Sequence, residues 1–149
     1  MAEKLSADEK LARIRHSMAH VMAEAVLEMF PTAQIAIGPS IENGFYYDFE
    51  LPRQLLNEDL DEITERMKEI IKSDKEFVRI EVSREEAREK FKDQKYKIEL
   101  LDAIDKDEVV TLYNQGNFTD LCRGPHVNST KELRTDSFKL MSIAGACWR

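Results

Sequence analysis

Glu108-Val109-Val110-Thr111-Leu112-Tyr113-Asn114-Gln115-Gly116-Asn117-Phe118-Thr119-Asp120-Leu121-Cys122 is the stretch that decides the fold class. Glu108 to Tyr113 is rich in β-formers, Asn114 to Asn117 reads as a turn, and Phe118 to Cys122 follows as the paired strand. Strands joined through so short a link pair antiparallel. The period of two along a strand sends Asp120 and Cys122 to one face. Gly124-Pro125 then turns the chain and presents His126.

Upstream, Ser6-Ala7-Asp8-Glu9 is a capping box, in which the Ser hydroxyl and Glu carboxylate satisfy each other's free backbone donors. The helix it opens is expected to run to about Phe30, where Pro31 stops it. Leu11, Ile14, Met18, Val21, Met22, Ala25, Val26 and Met29 gather on one face. His16 and His20 lie almost opposite, beside Ala19, Ala23 and Leu27. Gln34 to Gly38 and Phe45 to Glu50 are expected as strands joined through Pro39, Ser40 and Glu42-Asn43-Gly44. Tyr46 and Tyr47 then face opposite sides. Asn57 to Lys72 is an amphipathic helix with a Leu60, Ile63, Met67, Ile70, Ile71 stripe. Phe77 to Val82 alternates, which predicts a half-buried strand with Val78, Ile80 and Val82 inward. Ser83-Arg84-Glu85-Glu86 is a second capping box, Tyr96 to Ile104 a short helix, and Phe138 to Ile143 a final strand. Hairpins and helices without regular βαβ alternation give an α+β domain, a mixed, mainly antiparallel sheet packed with helices.

At 149 residues the chain fits one domain with a real core. Hydrophobic content of 42% and charged content of 34% suit a soluble globular chain. No apolar run is long enough to span a membrane, so no membrane partner is expected. A net charge of −7 argues against a generic nucleic-acid coat. It leaves room for an RNA held by a few local Arg and Lys contacts. Two cysteines beside a candidate site suit a reducing compartment, hence a cytoplasmic location.

All three histidines and one cysteine fall in two motifs, His16-Ser17-Met18-Ala19-His20 and Cys122-Arg123-Gly124-Pro125-His126. The i, i+4 pair puts two imidazoles one turn apart on one helix face. With Cys122 and His126 they make a four-ligand set of the kind zinc uses, or a metal-free hydrolytic pocket. The alternative for the helix is a buried face whose histidines are satisfied by backbone carbonyls. Lys97 reads, on its own, as a surface lysine, and Arg123 as a phosphate contact or a loop salt bridge.

Asp120-Leu121-Cys122-Arg123-Gly124-Pro125-His126, the His-x-x-x-His helix, and Gly38-Pro39 with Asn43-Gly44-Phe45-Tyr46-Tyr47-Asp48 between them resemble the editing (second additional) domain of bacterial threonyl-tRNA synthetase. A diverged form is shared with alanyl-tRNA synthetase. The resemblance covers about Ile14 to Arg149. It implies a synthetase editing-domain-like fold, with 1–149 as a single editing domain. Residues 1–13 are the lead-in and start of the first helix. Residues 144–149 are the junction toward a synthetase core that the chain does not hold, with Cys147 where the family usually carries Tyr. An excised domain is expected rather than a freestanding relative.

The implied activity is hydrolysis of mischarged Ser-tRNA(Thr), an aminoacyl-tRNA deacylase function attached to a ligase. Serine lacks one methyl of threonine, and a methyl is worth only about 1–3 kcal/mol in binding. A second site that excludes Thr-tRNA(Thr) by its extra methyl supplies the missing discrimination. By the same resemblance, His16 and His20 serve proton transfer or bind the ribose hydroxyl of the terminal adenosine, and Lys97 orients the water or stabilises the oxyanion. Asp120 binds the seryl ammonium, Cys122 and His126 line the pocket, Tyr47 contacts substrate, and Arg123 meets a phosphate of the acceptor end. The implied partners are the tRNA(Thr) acceptor end and the remainder of the synthetase. No cofactor is expected for editing. Zinc on His16, His20, Cys122 and His126 stays open, as it would in a zinc-dependent alanyl-type deacylase. A non-catalytic zinc or RNA-binding module is the third reading.

Overall fold

The structure is a computed structural model and describes residues 5–143. The hairpin that decides the fold class forms β6 (Val110–Gln115) and β7 (Phe118–Leu121). Asn114 and Gln115 belong to the strand rather than the turn, which narrows to Gly116-Asn117. Gly116 has φ +58°, a left-handed conformation that glycine adopts without steric cost. β5 (Phe77–Val82) adds to the other side of β6, giving an antiparallel sheet in the order β5-β6-β7.

α1 (Ala7–Met29) carries the expected capping box between Ser6 and Glu9. It is buried on two faces. Met18, Val21, Ala25 and Val26 pack with Ile63, Met67, Ile70 and Ile71 of α2 (Asn57–Lys72) in the main core. On the histidine side, Ala19 and Ala23 are covered by Ile35, Tyr47 and Phe118. Small residues there let the sheet and the Tyr47 ring approach the helix closely. Leu11, expected inward, is exposed, because the first turns of α1 extend beyond α2 and the sheets.

Residues 34–50 form an interrupted antiparallel ribbon instead of two full strands. β1 (Gln34–Ile35) pairs with β4 (Phe49–Glu50), and β2 (Ser40–Ile41) with β3 (Gly44–Phe45). Between the two pairs, Ala36 N–H donates to Asp48 O and Asp48 N–H to Ile37 O. The Tyr47 ring lies so close to Gly38 that an added Cβ would sit 2.1 Å from it. That contact requires glycine and seats Tyr47 inward, while Tyr46 faces out at 40% exposure.

α3 (Arg84–Lys90), with the Ser83–Glu86 capping box, and α4 (Lys95–Ala103) cover the far face of the sheet. Ala87, Leu101 and Val110 make a small core there with Val82 and Leu121. These helices are too short to reach the start of β5. Val78 and Ile80, expected half-buried, are therefore exposed on an edge strand. The expected strand from Phe138 to Ile143 does not form. Phe138 and Leu140 touch the main core without a partner edge, and Met141 and Ile143 are exposed. A single 3₁₀ turn, Thr130–Glu132, was not foreseen. The junction at 144–149 lies outside the described residues. The architecture is α+β with antiparallel pairing throughout the described residues, and no helix among them is long and apolar enough to cross a membrane.

Candidate active site

α1 and the segment after β7 bring the two motifs together. Cys122 N–H donates to Thr111 O at 3.2 Å, and Thr111 Oγ1 donates to Cys122 O at 2.6 Å, so the ladder holds one residue past β7. The chain then turns at Gly124, with φ +78° and the Tyr113 hydroxyl where a Cβ would be. This folds His126 back under α1, where its ring stacks on His16 with centroids 4.2 Å apart. The His126 ring also meets the His20, Tyr113 and Phe77 rings.

The donor atoms of His16, His20, Cys122 and His126 lie within 4.8 Å of one another. Cys122 Sγ is 3.3 Å from His16 Nε2 and 3.4 Å from His126 Nε2. The outer nitrogens are anchored: His16 Nδ1 lies 3.3 Å from Pro125 O, and His126 Nδ1 lies 3.0 Å from Ser17 Oγ. His20 is 2% exposed, and its Nδ1 makes no hydrogen bond among the described residues. That nitrogen lies 3.5 Å from Asp120 Oδ2.

A second layer lies beside the imidazoles. Lys97 Nζ pairs with Asp120 Oδ1 at 2.6 Å, both side chains 2% exposed. The same ammonium donates to Ala36 O at 2.5 Å and to Tyr47 Oη at 3.0 Å. Tyr47 in turn donates to Asp120 Oδ2 at 2.7 Å, and Leu121 N–H donates to Oδ1 at 2.8 Å. Lys97, which the sequence presents as a surface residue, is thus one of the most deeply buried large side chains. Its helix, α4, is seated by Gln94, whose amide donates to Ala33 O and accepts from Ile35 N–H.

Burial dominates the electrostatics. It pushes His20 and His126 well below the ordinary imidazole range, helped for His20 by His16 and Lys97, and for His126 by His20 and His16. His16, half-buried, is lowered less, because the Pro125 carbonyl opposes the desolvation. Burial raises the Cys122 thiol to about 12 and the Tyr47 phenol well above its usual value. Imidazoles held so low are weak bases, which leaves half-buried His16 the best proton acceptor of the three, and a thiol held so high is a poor nucleophile.

The four donor atoms could hold a zinc ion once the wider separations, which reach up to 4.8 Å, close toward tetrahedral spacing. A tetrahedron with ordinary Zn–S and Zn–N bonds has S···N edges of about 3.5 Å, close to the two cysteine–histidine separations. The Nδ1 contacts of His16 and His126 are of the kind that metal-bound histidines show, and His20 Nδ1 has no such hydrogen bond among the described residues. Four protein ligands would leave no open position.

All five proposed catalytic side chains, together with Tyr47 and Asp120, meet in this cluster. Arg123 does not point into it. Its guanidinium is exposed and pairs with Glu108. Asp120, expected to bind an ammonium, already has Lys97, Tyr47 and Leu121 on its carboxylate. His16 and Cys122 are half-buried and form the accessible edge, while His20, Lys97, Asp120 and His126 lie deeper. Two open grooves, one lined by Glu28, Glu62 and Lys75 and the other by Asp74, Lys131 and Arg134, include no residue of the cluster. Sequence reasoning missed Ser17, which is completely buried. Its signal was a polar residue directly after His16 on a helix turn that is otherwise interior. Tyr113, whose ring packs edge-on against His126, was read only as a strand residue.

This is an α+β module with a buried acid–base and potential metal-holding cluster. Residues 110–145 match the family model described as the threonyl and alanyl tRNA synthetase second additional domain. The chain is similar to the threonine–tRNA ligase of Dehalococcoides mccartyi, 60% identical over 136 residues, which is 91% of this chain and 23% of that protein. The Borrelia duttonii threonine–tRNA ligase is 51% identical over 149 residues, all of this chain and 26% of that protein. The Treponema pallidum threonine–tRNA ligase is 51% identical over 141 residues, 95% of this chain and 24% of that protein. The chain spans about a quarter of the length of these relatives.

Proposed function

We propose that these 149 residues form one editing unit that hydrolyses the ester of mischarged Ser-tRNA(Thr) and spares Thr-tRNA(Thr). The observation that supports this reading is the convergence of His16, His20, Cys122 and His126 with the Lys97–Asp120–Tyr47 network in one buried cluster. Kinship with threonine–tRNA ligases supplies the substrate class. The unit's partners are then the tRNA(Thr) acceptor end and the rest of a synthetase, and an unpaired Cys122 suits a reducing cytoplasm.

Hydrolysis needs a water, a group to take its proton and a cation for the oxyanion. His16 is the accessible imidazole, and it serves as the proton acceptor or binds the neighbouring ribose hydroxyl. His20, one turn deeper and 2% exposed, is the weaker base of the pair and supports His16 from behind. Lys97, whose three N–H donors go to Asp120, Tyr47 and Ala36 O, would stabilise the oxyanion by releasing one of them. The seryl ammonium would reach Asp120 only by displacing Lys97 or Tyr47 from its buried carboxylate. Cys122 and His126 form the wall against which a threonyl methyl collides. Arg123 would reach a phosphate only by leaving Glu108.

This reading needs no metal. Zinc, if bound, would be held by His16, His20, Cys122 and His126 and would supply a Lewis acid. The test is release of serine from Ser-tRNA(Thr) by wild type and by folded His16→Ala and Lys97→Ala proteins. Activity in the wild type that collapses in both variants, with tRNA binding kept, is expected. Preserved deacylation in both variants would reject the assigned roles, and zinc-dependent cleavage of alanyl-tRNA would favour the alanyl-type alternative.

A further inference from the structure

Ser17 has no part in the chemistry proposed above, yet it is fully buried and touches two groups of the segment that follows β7. Val127 N–H donates to its Oγ at 3.0 Å, and His126 Nδ1 lies 3.0 Å away on the other side.

The direction of every hydrogen bond in the cluster can be worked out from its far end. Pro125 O is only an acceptor, so His16 must carry its hydrogen on Nδ1. His16 Nε2 is then a bare lone pair, 3.3 Å from Cys122 Sγ. The thiol owns one hydrogen, and it goes to His16. The sulfur already accepts from Gly124 N–H at 3.2 Å, and it meets His126 Nε2 at 3.4 Å. His126 must therefore bring the hydrogen to that contact on Nε2, which leaves Nδ1 bare. Among the described residues, Ser17 is the partner that can supply a hydrogen there. Reversing His126 would leave one thiol hydrogen between two lone pairs.

We propose that Ser17 is a positioning residue that donates its hydroxyl hydrogen to His126 Nδ1 and so holds His126 as the Nε2–H tautomer. The order is Ser17 to His126, His126 to Cys122, and Cys122 to His16. The consequence for deacylation rests on the proposed editing reading, because the polarity presents Cys122 and His16 to substrate in a single proton arrangement.

The test is heteronuclear NMR of ¹⁵N-histidine-labelled, chelator-treated protein, which reads the tautomer of each imidazole directly. Wild type is expected to show His126 as Nε2–H and His16 as Nδ1–H. Ser17→Ala should move His126 toward the Nδ1–H form, and Ser17→Thr, which keeps the hydroxyl, should restore it. On Ser-tRNA(Thr), Ser17→Ala should lower kcat about tenfold with KM little changed, and Ser17→Thr should recover most of it. An Nδ1–H His126 in wild type, or an unchanged tautomer in Ser17→Ala, overturns the proposal. If Ser17→Ala does not fold, the wild-type and Ser17→Thr spectra decide. Absence of deacylation in wild type, with the expected tautomers present, would instead fail the editing reading and leave the Ser17 assignment standing.

Discussion

Removing Lys97 does two things at once. It deletes the proposed oxyanion cation and it strands a buried carboxylate. Asp120, 1% exposed, would keep only the Tyr47 hydroxyl and Leu121 N–H. Breaking one side of a buried ion pair costs about 3–5 kcal/mol, because an uncompensated charge remains. Lys97→Met is therefore expected to lower the melting temperature by roughly 6–20 °C, at about 2–4 °C per kcal/mol for a chain of this size. Asp120→Asn should cost a similar amount, since the buried Lys97 ammonium then loses its counter-charge and keeps only neutral acceptors. The double variant removes both charges, and replacing a buried pair by uncharged groups of similar volume is often close to neutral. It should be more stable than either single variant, with a coupling of at least about 3 kcal/mol in magnitude. Urea unfolding of wild type, both single variants and the double variant closes the cycle. Destabilisation that adds within about 0.5 kcal/mol would refute the claim that the two charges depend on each other. The double variant also separates stability from chemistry: it should fold and be inactive.

Asp59 accepts a bidentate pair of bonds from Arg53 and one from Leu56 N–H, which lower its pKa from 3.8 to about 2. A depressed carboxylate contributes stability that is present above its unfolded value and lost as pH falls through its folded value. The wild-type urea midpoint should thus drop between pH 4 and 2, and Asp59→Asn, weaker at neutral pH, should be flatter there; identical acid limbs would contradict this. Ala23, wholly buried under Ile35, Tyr47 and Phe118, leaves no room for a larger group. Ala23→Leu should cost about 1–3 kcal/mol in unfolding experiments and displace Tyr47, with loss of deacylation. Exhaustive chelation should leave deacylation intact, whereas added zinc should raise the melting temperature and inhibit, because four ligands close the coordination sphere. Activity abolished by chelation and restored by zinc would contradict the metal-free reading.

The helices were legible because their signals are local. Ser6-Ala7-Asp8-Glu9 and Ser83-Arg84-Glu85-Glu86 cap themselves, and the α2 stripe needs no partner to be read. The pairing of His16 and His20 with Cys122 and His126 was also readable, since histidine is used nowhere else. What failed depended on distant neighbours. Val78 and Ile80 alternate like a buried strand, but burial requires a helix above them, and α3 ends short. Phe138 to Ile143 has strand composition without an available edge. Pairing in 34–50 breaks where the Tyr47 ring occupies the space over Gly38. Lys97 looked solvated because nothing in Tyr96-Lys97-Ile98 announces Asp120, which arrives 23 residues later on β7. Ser17 hid between two histidines because its role is set by the Pro125–Val127 backbone, 108 to 110 positions away.

The central claim is a discrimination by one methyl group, so the most direct measurement compares two substrates on one enzyme. Single-turnover hydrolysis of Ser-tRNA(Thr) and Thr-tRNA(Thr) should differ by roughly 10–200-fold or more in favour of the seryl ester. Equal rates, or faster loss of threonine, would contradict the account.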